Sequence, residues 1–325
     1  MPDSQLLTQL DALSRGGLRR DVPLAPFTSF GIGGPAQYLA LIHSMDDLVA
    51  ALTLLHHAQT PFLLLGGGTN ILISDAGVPG LTIINRCKKA TWPERSQQKE
   101  QNIVLVDVDA GAPLAGFARE SIHRGFVSLS WAVSIPGSVG GAIVGNAGAH
   151  GHDIASVLVR VQVWHEGRVE TWPAERLAFT YRNSSLKGAA GVPPPPVILS
   201  ATFRLATDVE GVADEQAQAY LQHRRRTQPT EKSAGSIFKN PPGDYAGRLI
   251  EEAGLKGRCI GEACISEKHA NFIVNRGRAS AADVVALINL ARSEVWRRFH
   301  ILLEPEILFI GDWSQGPWLI DPRET

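Results

Sequence analysis

LLLGGGTNILISD, residues 63–75, sets three consecutive glycines between two apolar runs. Without Cβ atoms, a main chain can approach a diphosphate closely and turn its N–H groups towards the oxygens. This is not a Walker A loop, because no Gly-Lys-Ser/Thr follows Gly66, Gly67 and Gly68. Nor does it open a Rossmann unit, since ILIS after the turn reads as strand where that fold needs a helix. A tight hairpin with glycine at positive φ would explain the same residues. Upstream, GIGGPA (31–36) matches the loose G-x-G-x-x-[GA] pattern. Pro35 leads into QYLALI, another strand, so the helix N-terminus that would hold a pyrophosphate is missing there too.

On either side, further short apolar strands read at PFLLLG, LTIIN and IVLVDVDAG, and VLVRVQVWHEGRVETW reads as a hairpin turning at Glu166-Gly167. One helix interrupts them: Ser44 and Asp47 cap it, Leu48, Ala51, Leu52 and Leu55 form its stripe, and Pro61 closes it. The run Pro193 to Pro196 excludes helix or central strand and leads into VILSATFRL. Beyond Ala206 the pattern turns helical, first from Asp214 to Arg226. YAGRLIEEAGL follows, with Asp244 as N-cap and Gly254 as stop, and then Ala281 to Phe299, capped by Ser280 and Asp283. A β-rich lobe at about 1–206 and an α+β lobe at about 212–306 are expected.

The chain has 325 residues, long enough for two or three domains. Its net charge of -1 gives no general attraction to nucleic acid or membrane, so anionic partners must be held by local sites. No run approaches the ~18 apolar residues of a membrane span, and the N-terminus has no signal-peptide pattern. Cys87, Cys259 and Cys264 form no CxxC pair and read as buried free thiols in a reducing compartment. His56, His57, His150 and His152 lack metal-ligand spacing, so no metal is expected.

Five stretches carry possible chemistry. SIPGSVGGAIVGNAGAHG (134–151) has almost no side-chain bulk, which a flat cofactor ring or a close neighbouring strand could supply. FTYRNSSLK (179–187) offers Tyr181 and the planar fork of Arg182, suited to a carboxylate, although a solvated arginine is the commoner case. HRRRTQP (223–229) places arginines at a helix C-terminus, where the helix dipole alone favours cations. SAGSIFKNP (233–241) sets Ser236 between Gly235 and Lys239, and LLEPEILFIG (302–311) sends Glu304 and Glu306 into an apolar strand. A carboxylate entering such a strand is uncommon unless paired or at work.

Together with AGRLIEEAGLKG and ISEKHANFIVN, these motifs stand in the order seen in UDP-N-acetylenolpyruvoylglucosamine reductases, and over residues 25–311 the chain resembles that family. The family comprises flavoenzymes of peptidoglycan precursor synthesis, and the resemblance is to the subgroup lacking an extra tyrosine loop. It implies an α+β protein. Residues 1–206 would form an FAD-binding domain of the vanillyl-alcohol-oxidase (PCMH) type, with lobes of about 1–85 and 86–206. A substrate-binding domain at 212–306 and a terminal strand and tail at 307–325, returning to the FAD-binding lobe, would follow. The cofactor would be non-covalent FAD, reduced by NADPH. The substrate would be the enolpyruvyl ether of UDP-GlcNAc, a nucleotide sugar, and the enzyme a cytoplasmic monomer without nucleic-acid or membrane partners.

By motif position, Gly66, Gly67, Gly68, Thr69, Asn70, Pro136, Gly137, Ser138, Gly140, Gly141, Asn146, Ala147 and Gly148 would hold the cofactor. Tyr181, Arg225, Lys239 and Asn240 would hold substrate. Ser236 would donate a proton, with Arg182 and Glu306 at the substrate carboxylate and enolate. Four positions depart from the family pattern: Phe27, His150, Lys232 and Leu308 stand where asparagine, tyrosine, proline and arginine are usual. The competing expectations are an FAD-dependent sugar or alcohol oxidase of the same fold and a non-catalytic nucleotide sensor. Neither accounts for Ser236, Arg182 and Glu306 together.

Overall fold

The computed structural model describes residues 3–93, 102–187, 196–314, 316 and 318–323. The chain forms two compact units, one of Met1–Arg19, Leu39–Gly67 and Gly80–His223, the other of Arg20–Tyr38, Gly68–Pro79 and Arg224–Thr325. Most of the proline run from Pro193 lies outside the described residues.

Strands β1 (Arg19–Pro23), β2 (Pro35–Ile42), β3 (Phe62–Leu65) and β5 (Val78–Asn85) make a sheet in the order β1-β2-β5-β3. β3 and β5 run parallel, Phe62 opposite Leu81. The triple glycine does not close a hairpin, because β4 (Ile71–Ile73), the strand after it, pairs with β17 (Leu308–Ile310) and not with β3.

The first unit is dominated by a sheet in the order β11-β10-β12-β7-β6. Its strands are β6 (Ala90–Thr91), β7 (Ile103–Asp109), β10 (Leu158–His165), β11 (Arg168–Pro173) and β12 (Val197–Ala206). Strict alternation in β7 buries Val104, Val106 and Val108 while Ile103 and Leu105 face outward. These valines join Trp131, Val161, Val163, Phe203 and Leu205 in one core. The β10–β11 hairpin turns at Glu166 and Gly167, with φ of 48° and 83°. Positive φ at both central residues is the type I′ requirement, and it explains why glycine follows glutamate there. Helix α1 spans Ser4–Leu13. Helix α2 (Met45–His57) starts at Ser44, whose Oγ accepts from Asp47 N, and buries Leu48, Ala51, Leu52 and Leu55. Helix α3 (Leu114–His123), which the sequence reading passed over, buries Leu114, Phe117 and Ala118 against the sheet core.

The second unit is built on a sheet in the order β13-β16-β15-β14, comprising β13 (Lys232–Ser236), β14 (Cys259–Ile260), β15 (Ala263–Ile265) and β16 (Phe272–Asn275). Its core takes Ile237, Phe238, Leu249, Ile250 and the buried face of a 19-residue helix, Ala281–Phe299. That helix opens on a full capping box between Ser280 and Asp283. Asp75 adds a second cap, its carboxylate accepting from Ala281 N (2.8 Å) and Ala282 N (3.0 Å). Two anionic acceptors at a helix start satisfy otherwise orphaned donors and complement the helix dipole.

Two expectations are corrected. Asp244 does not cap the helix Ala246–Glu252: the residue before it is Tyr245, and Ala246 N donates to Asn240 Oδ1 (3.1 Å). Asp244 instead takes the guanidinium of Arg248, which holds its carboxyl down at about 2. The three cysteines are not all free. Cys259 and Cys264 face each other across the β14–β15 hairpin and are joined by a disulfide; only Cys87 remains a thiol.

Candidate active site

In the first unit, the two glycine-rich segments meet. A Cβ on Gly66 would lie 2.1 Å from Ser138 Oγ, and one on Gly67 would lie 2.6 Å from Gly137 Cα. Glycine is required here because the two main chains touch. Gly137 carries φ of 113°, and Ser138 caps the short helix Val139–Val144 by accepting from Gly141 N. Gly67, Pro136 and Gly141 remain exposed. Among the described residues, none accepts from the N–H of Gly67 or Gly137. Free main-chain donors on two touching, side-chain-free segments suit the oxygens of a diphosphate. The residues therefore fit a dinucleotide cofactor at this place.

Not all of the bulk-free stretch is open. A Cβ on Gly140 would meet Ala110 Cβ at 2.9 Å, and one on Gly148 would meet His152 O at 2.5 Å. These glycines admit their own chain. Asn146 is buried at φ 42°, and its amide is fully engaged: Nδ2 donates to Asp153 and to Thr180 O, and Oδ1 accepts from Ala155 N. Ala147 lies beside it, half-buried, with its carbonyl taken by Ile154 N.

The bond from Asn146 to Thr180 O fixes the next predicted element. Thr180 and Asn183 close a tight turn with Tyr181 and Arg182 at its tip. Arg182 has φ of 56°, a left-handed conformation uncommon outside glycine and worth noting where function is expected. Its guanidinium lies 5.5 Å from the Tyr181 ring, and Tyr181 is 58% exposed. Two supports were not read from the sequence: Ser184, buried, donates to Val144 O (2.7 Å), and Lys187 donates to Arg182 O (2.9 Å). The first joins positions 40 residues apart and the second spans five, on a turn with no helical or strand periodicity to announce either. His150, the departure from tyrosine, stacks on Tyr220 at 4.0 Å, and burial with His223 and His152 nearby holds its pKa below the ordinary value.

In the second unit, SAGSIFKNP and LLEPEILFIG lie side by side. Phe238 pairs with Pro305 antiparallel, Glu306 N donates to Ile237 O (2.8 Å), and Lys239 N donates to Glu304 O (2.9 Å). Ser236 ends β13 and the next carbonyl, that of Ile237, takes the N–H of Glu306, so the two residues, 70 positions apart in the chain, lie on adjoining stretches of main chain, both half-buried. Gly235 has φ of +79° at a bulge in the β13–β16 ladder, where a Cβ would meet nothing within 4 Å. The glycine serves conformation, re-aiming Ser236. Asn271, buried, clamps the next two residues, exchanging both side-chain hydrogen bonds with the main chain of Phe238 while its carbonyl takes Ile237 N. Glu306 O accepts from Asn70 Nδ2 (3.3 Å), and Asn70 O accepts from Leu308 N.

Others of the expected residues have partners of their own. Lys239 forms an ion pair with Glu304, and Asn240 caps the helix beginning at Ala246. Arg225 is exposed and its carbonyl accepts from Lys268 Nζ. Gly68, at φ of 61°, sits against Phe27 O with no room for a side chain, and Thr69 follows it half-buried. Leu308, 37% exposed, opens β17. Among the described residues, no three His, Cys, Asp or Glu side chains gather as metal ligands.

Comparison with known proteins matches both parts of the chain. Residues 36–169 fit the profile of an FAD binding domain, and residues 228–310 that of the C-terminal domain of UDP-N-acetylenolpyruvoylglucosamine reductase. A protein of that name from Chloroflexus aggregans is 43% identical over 298 residues, spanning 90% of this chain and 97% of its own. One from Synechocystis is 39% identical, spanning 92% of each. The crystal structure of the Thermus caldophilus enzyme of that name superposes with a TM-score of 0.74 at 34% identity, covering 90% of this chain and all of that one.

Proposed function

The chain belongs to the UDP-N-acetylenolpyruvoylglucosamine reductase family, and from that premise we propose that it reduces the enolpyruvyl ether of UDP-GlcNAc to UDP-N-acetylmuramate with NADPH as reductant. It is an FAD-dependent oxidoreductase of peptidoglycan synthesis. The single observation that carries the residue assignment is the main-chain pairing of Ile237 and Phe238 with Pro305 and Glu306, which brings Ser236 and Glu306 onto adjoining stretches of chain.

When bound, FAD supplies hydride chemistry, accepting a hydride from NADPH and delivering one to the distal vinyl carbon of the substrate. The Gly66–Gly67 and Gly137–Ser138 segments would hold its diphosphate through main-chain N–H groups. Hydride addition leaves negative charge on the carbon beside the substrate carboxylate and on that carboxylate. Arg182, fixed at the tip of its turn, is assigned to that charge, since a guanidinium fork matches two carboxylate oxygens. Ser236 gives its hydroxyl proton to the same carbon, completing addition of hydride plus proton across the double bond. A serine is a weak acid alone, so its alkoxide must be stabilised by neighbours. Glu306 is assigned to orient the groups around that proton. Tyr181, Arg225, Lys239 and Asn240 are assigned to the nucleotide sugar, Lys239 in competition with Glu304.

Ser236→Ala tests the assignment. Reduction by NADPH should proceed within about twofold of wild type. Reoxidation by the enolpyruvyl nucleotide should fall by at least about a hundredfold, the scale of a lost general acid. Equal loss in both half-reactions would count against Ser236.

A further inference from the structure

Arg292 lies on the helix Ala281–Phe299 and is only 8% exposed. Its Nε donates to Leu303 O (3.2 Å) and its Nη1 to Ile320 O. Both donors go to main-chain carbonyls. Burying a guanidinium this way costs desolvation that an aliphatic side chain would avoid. What the charge achieves is orientation, because one rigid fork fixes two separate chain segments.

Those segments flank Glu306. Leu303, itself buried, begins the stretch whose next polar atoms are spoken for in order: Glu304 O by Lys239 N, Glu306 N by Ile237 O, and Glu306 O by Asn70. On the far side, Asn289 clasps the tail, donating to Trp318 O (2.9 Å) and accepting from Ile320 N (3.0 Å). The tail returns to β17 through Trp313 and Trp318, whose rings lie 5.7 Å and 5.6 Å from that of Phe309. Arg292 therefore stands where the approach to Glu306 and the tail backing the strand after it are tied together.

We propose that Arg292 is a positioning residue for Glu306, setting the segment Leu303–Glu306 through the Leu303 carbonyl and the C-terminal tail. The inference rests on the reading of Glu306 given above.

The test compares Arg292→Lys and Arg292→Met in the FAD-loaded, full-length protein. Lysine keeps the charge but cannot bridge two carbonyls with a planar fork. Both variants should take hydride from NADPH within about twofold of wild type and reoxidise with the enolpyruvyl nucleotide about tenfold more slowly, Arg292→Lys being the milder. Adding Arg292→Lys to Glu306→Gln should cost nothing beyond Glu306→Gln alone, because the two act through one group. Hydrogen exchange should lose protection over residues 303–308 while the helix at 281–299 keeps its own. Wild-type reoxidation in both variants, parallel loss of both half-reactions, or full additivity with Glu306→Gln would overturn the proposal. If Glu306→Gln itself reoxidises normally, the reading of Glu306 is what has failed, and the inference falls with it.

Discussion

Gly67→Ala perturbs the close packing of Gly67 on Gly137, the contact proposed to shape the cofactor site. Gly67 is not at a positive φ, so the alanine is not strained by its own backbone; the effect is steric. Its Cβ would stand 2.6 Å from Gly137 Cα, 3.0 Å from Gly137 C and 3.1 Å from Ser138 N. Carbon atoms pack at roughly 3.5–4.0 Å, so the two segments must separate by about 1 Å. Overpacking of this kind costs about 1–3 kcal/mol, and the loss of unfolded-chain freedom on replacing glycine returns about 0.4–1 kcal/mol. A net destabilisation of about 1–2 kcal/mol follows. If the segments part instead, the loss falls on FAD affinity, and 1.4 kcal/mol corresponds to about tenfold in Kd. The assay is FAD titration of the apoprotein by flavin fluorescence, with thermal unfolding of the apoprotein in parallel. Gly145→Ala is the control, since its Cβ would meet Gly141 O at an ordinary 3.5 Å. Gly67→Ala that binds FAD within twofold and unfolds at the wild-type temperature would mean that the two segments do not touch here or do not hold the cofactor.

Other outcomes follow from single contacts. Asp75→Ala removes two acceptors from the start of the helix at Ala281 and should lower stability by about 1–2 kcal/mol, read as a denaturant midpoint. Gly116→Ala, inside α3 and 3.6 Å from Pro113 Cβ, should raise stability by about 0.5–1 kcal/mol on the same measurement. Unfolded without reductant, the protein should titrate as one thiol, and after reduction as three. Burial, with Asp109 nearby, pushes the Cys87 thiol from 9.0 up to about 12. Because the folded pKa is the higher one, this stabilisation is complete below the unfolded value and is lost as pH rises from 9.0 towards 12. Denaturant midpoints should fall over that range more steeply in wild type than in Cys87→Ser.

What the sequence disclosed and what it hid differ by the range of the forces involved. The Ser44 and Ser280 caps, the Glu166-Gly167 turn and the inward stripe of the long helix depend on neighbours within a turn or two, and their residue types announce them. Helix α3 opens on Pro113 without a side-chain cap and carries Gly116, so its propensity is poor and its packing against the sheet core decides. The Cys259–Cys264 bond needed the hairpin register; the Gly261-Glu262 pair between the two cysteines was the available signal. Residue types and motif positions put forward Ser236, Arg182 and Glu306, but the contacts that hold the second unit's motifs in place are long-range. Asn271 on the main chain of Phe238, Asp75 on the helix at Ala281 and Glu304 on Lys239 join positions 33, 206 and 65 residues apart, beyond any local pattern.

If, as proposed, this chain moves a hydride from NADPH to an enolpyruvyl nucleotide sugar with Ser236 completing the addition, the flavin colour reports each half of the cycle. The most direct measurement is anaerobic: bleach the flavin with one equivalent of NADPH, add the enolpyruvyl nucleotide, and follow colour and product mass together. Colour should return in step with a product heavier than the substrate by two hydrogens, and Ser236→Ala should stay bleached. A flavin that NADPH cannot bleach, or one whose colour returns in Ser236→Ala as fast as in wild type, would contradict the proposed cycle.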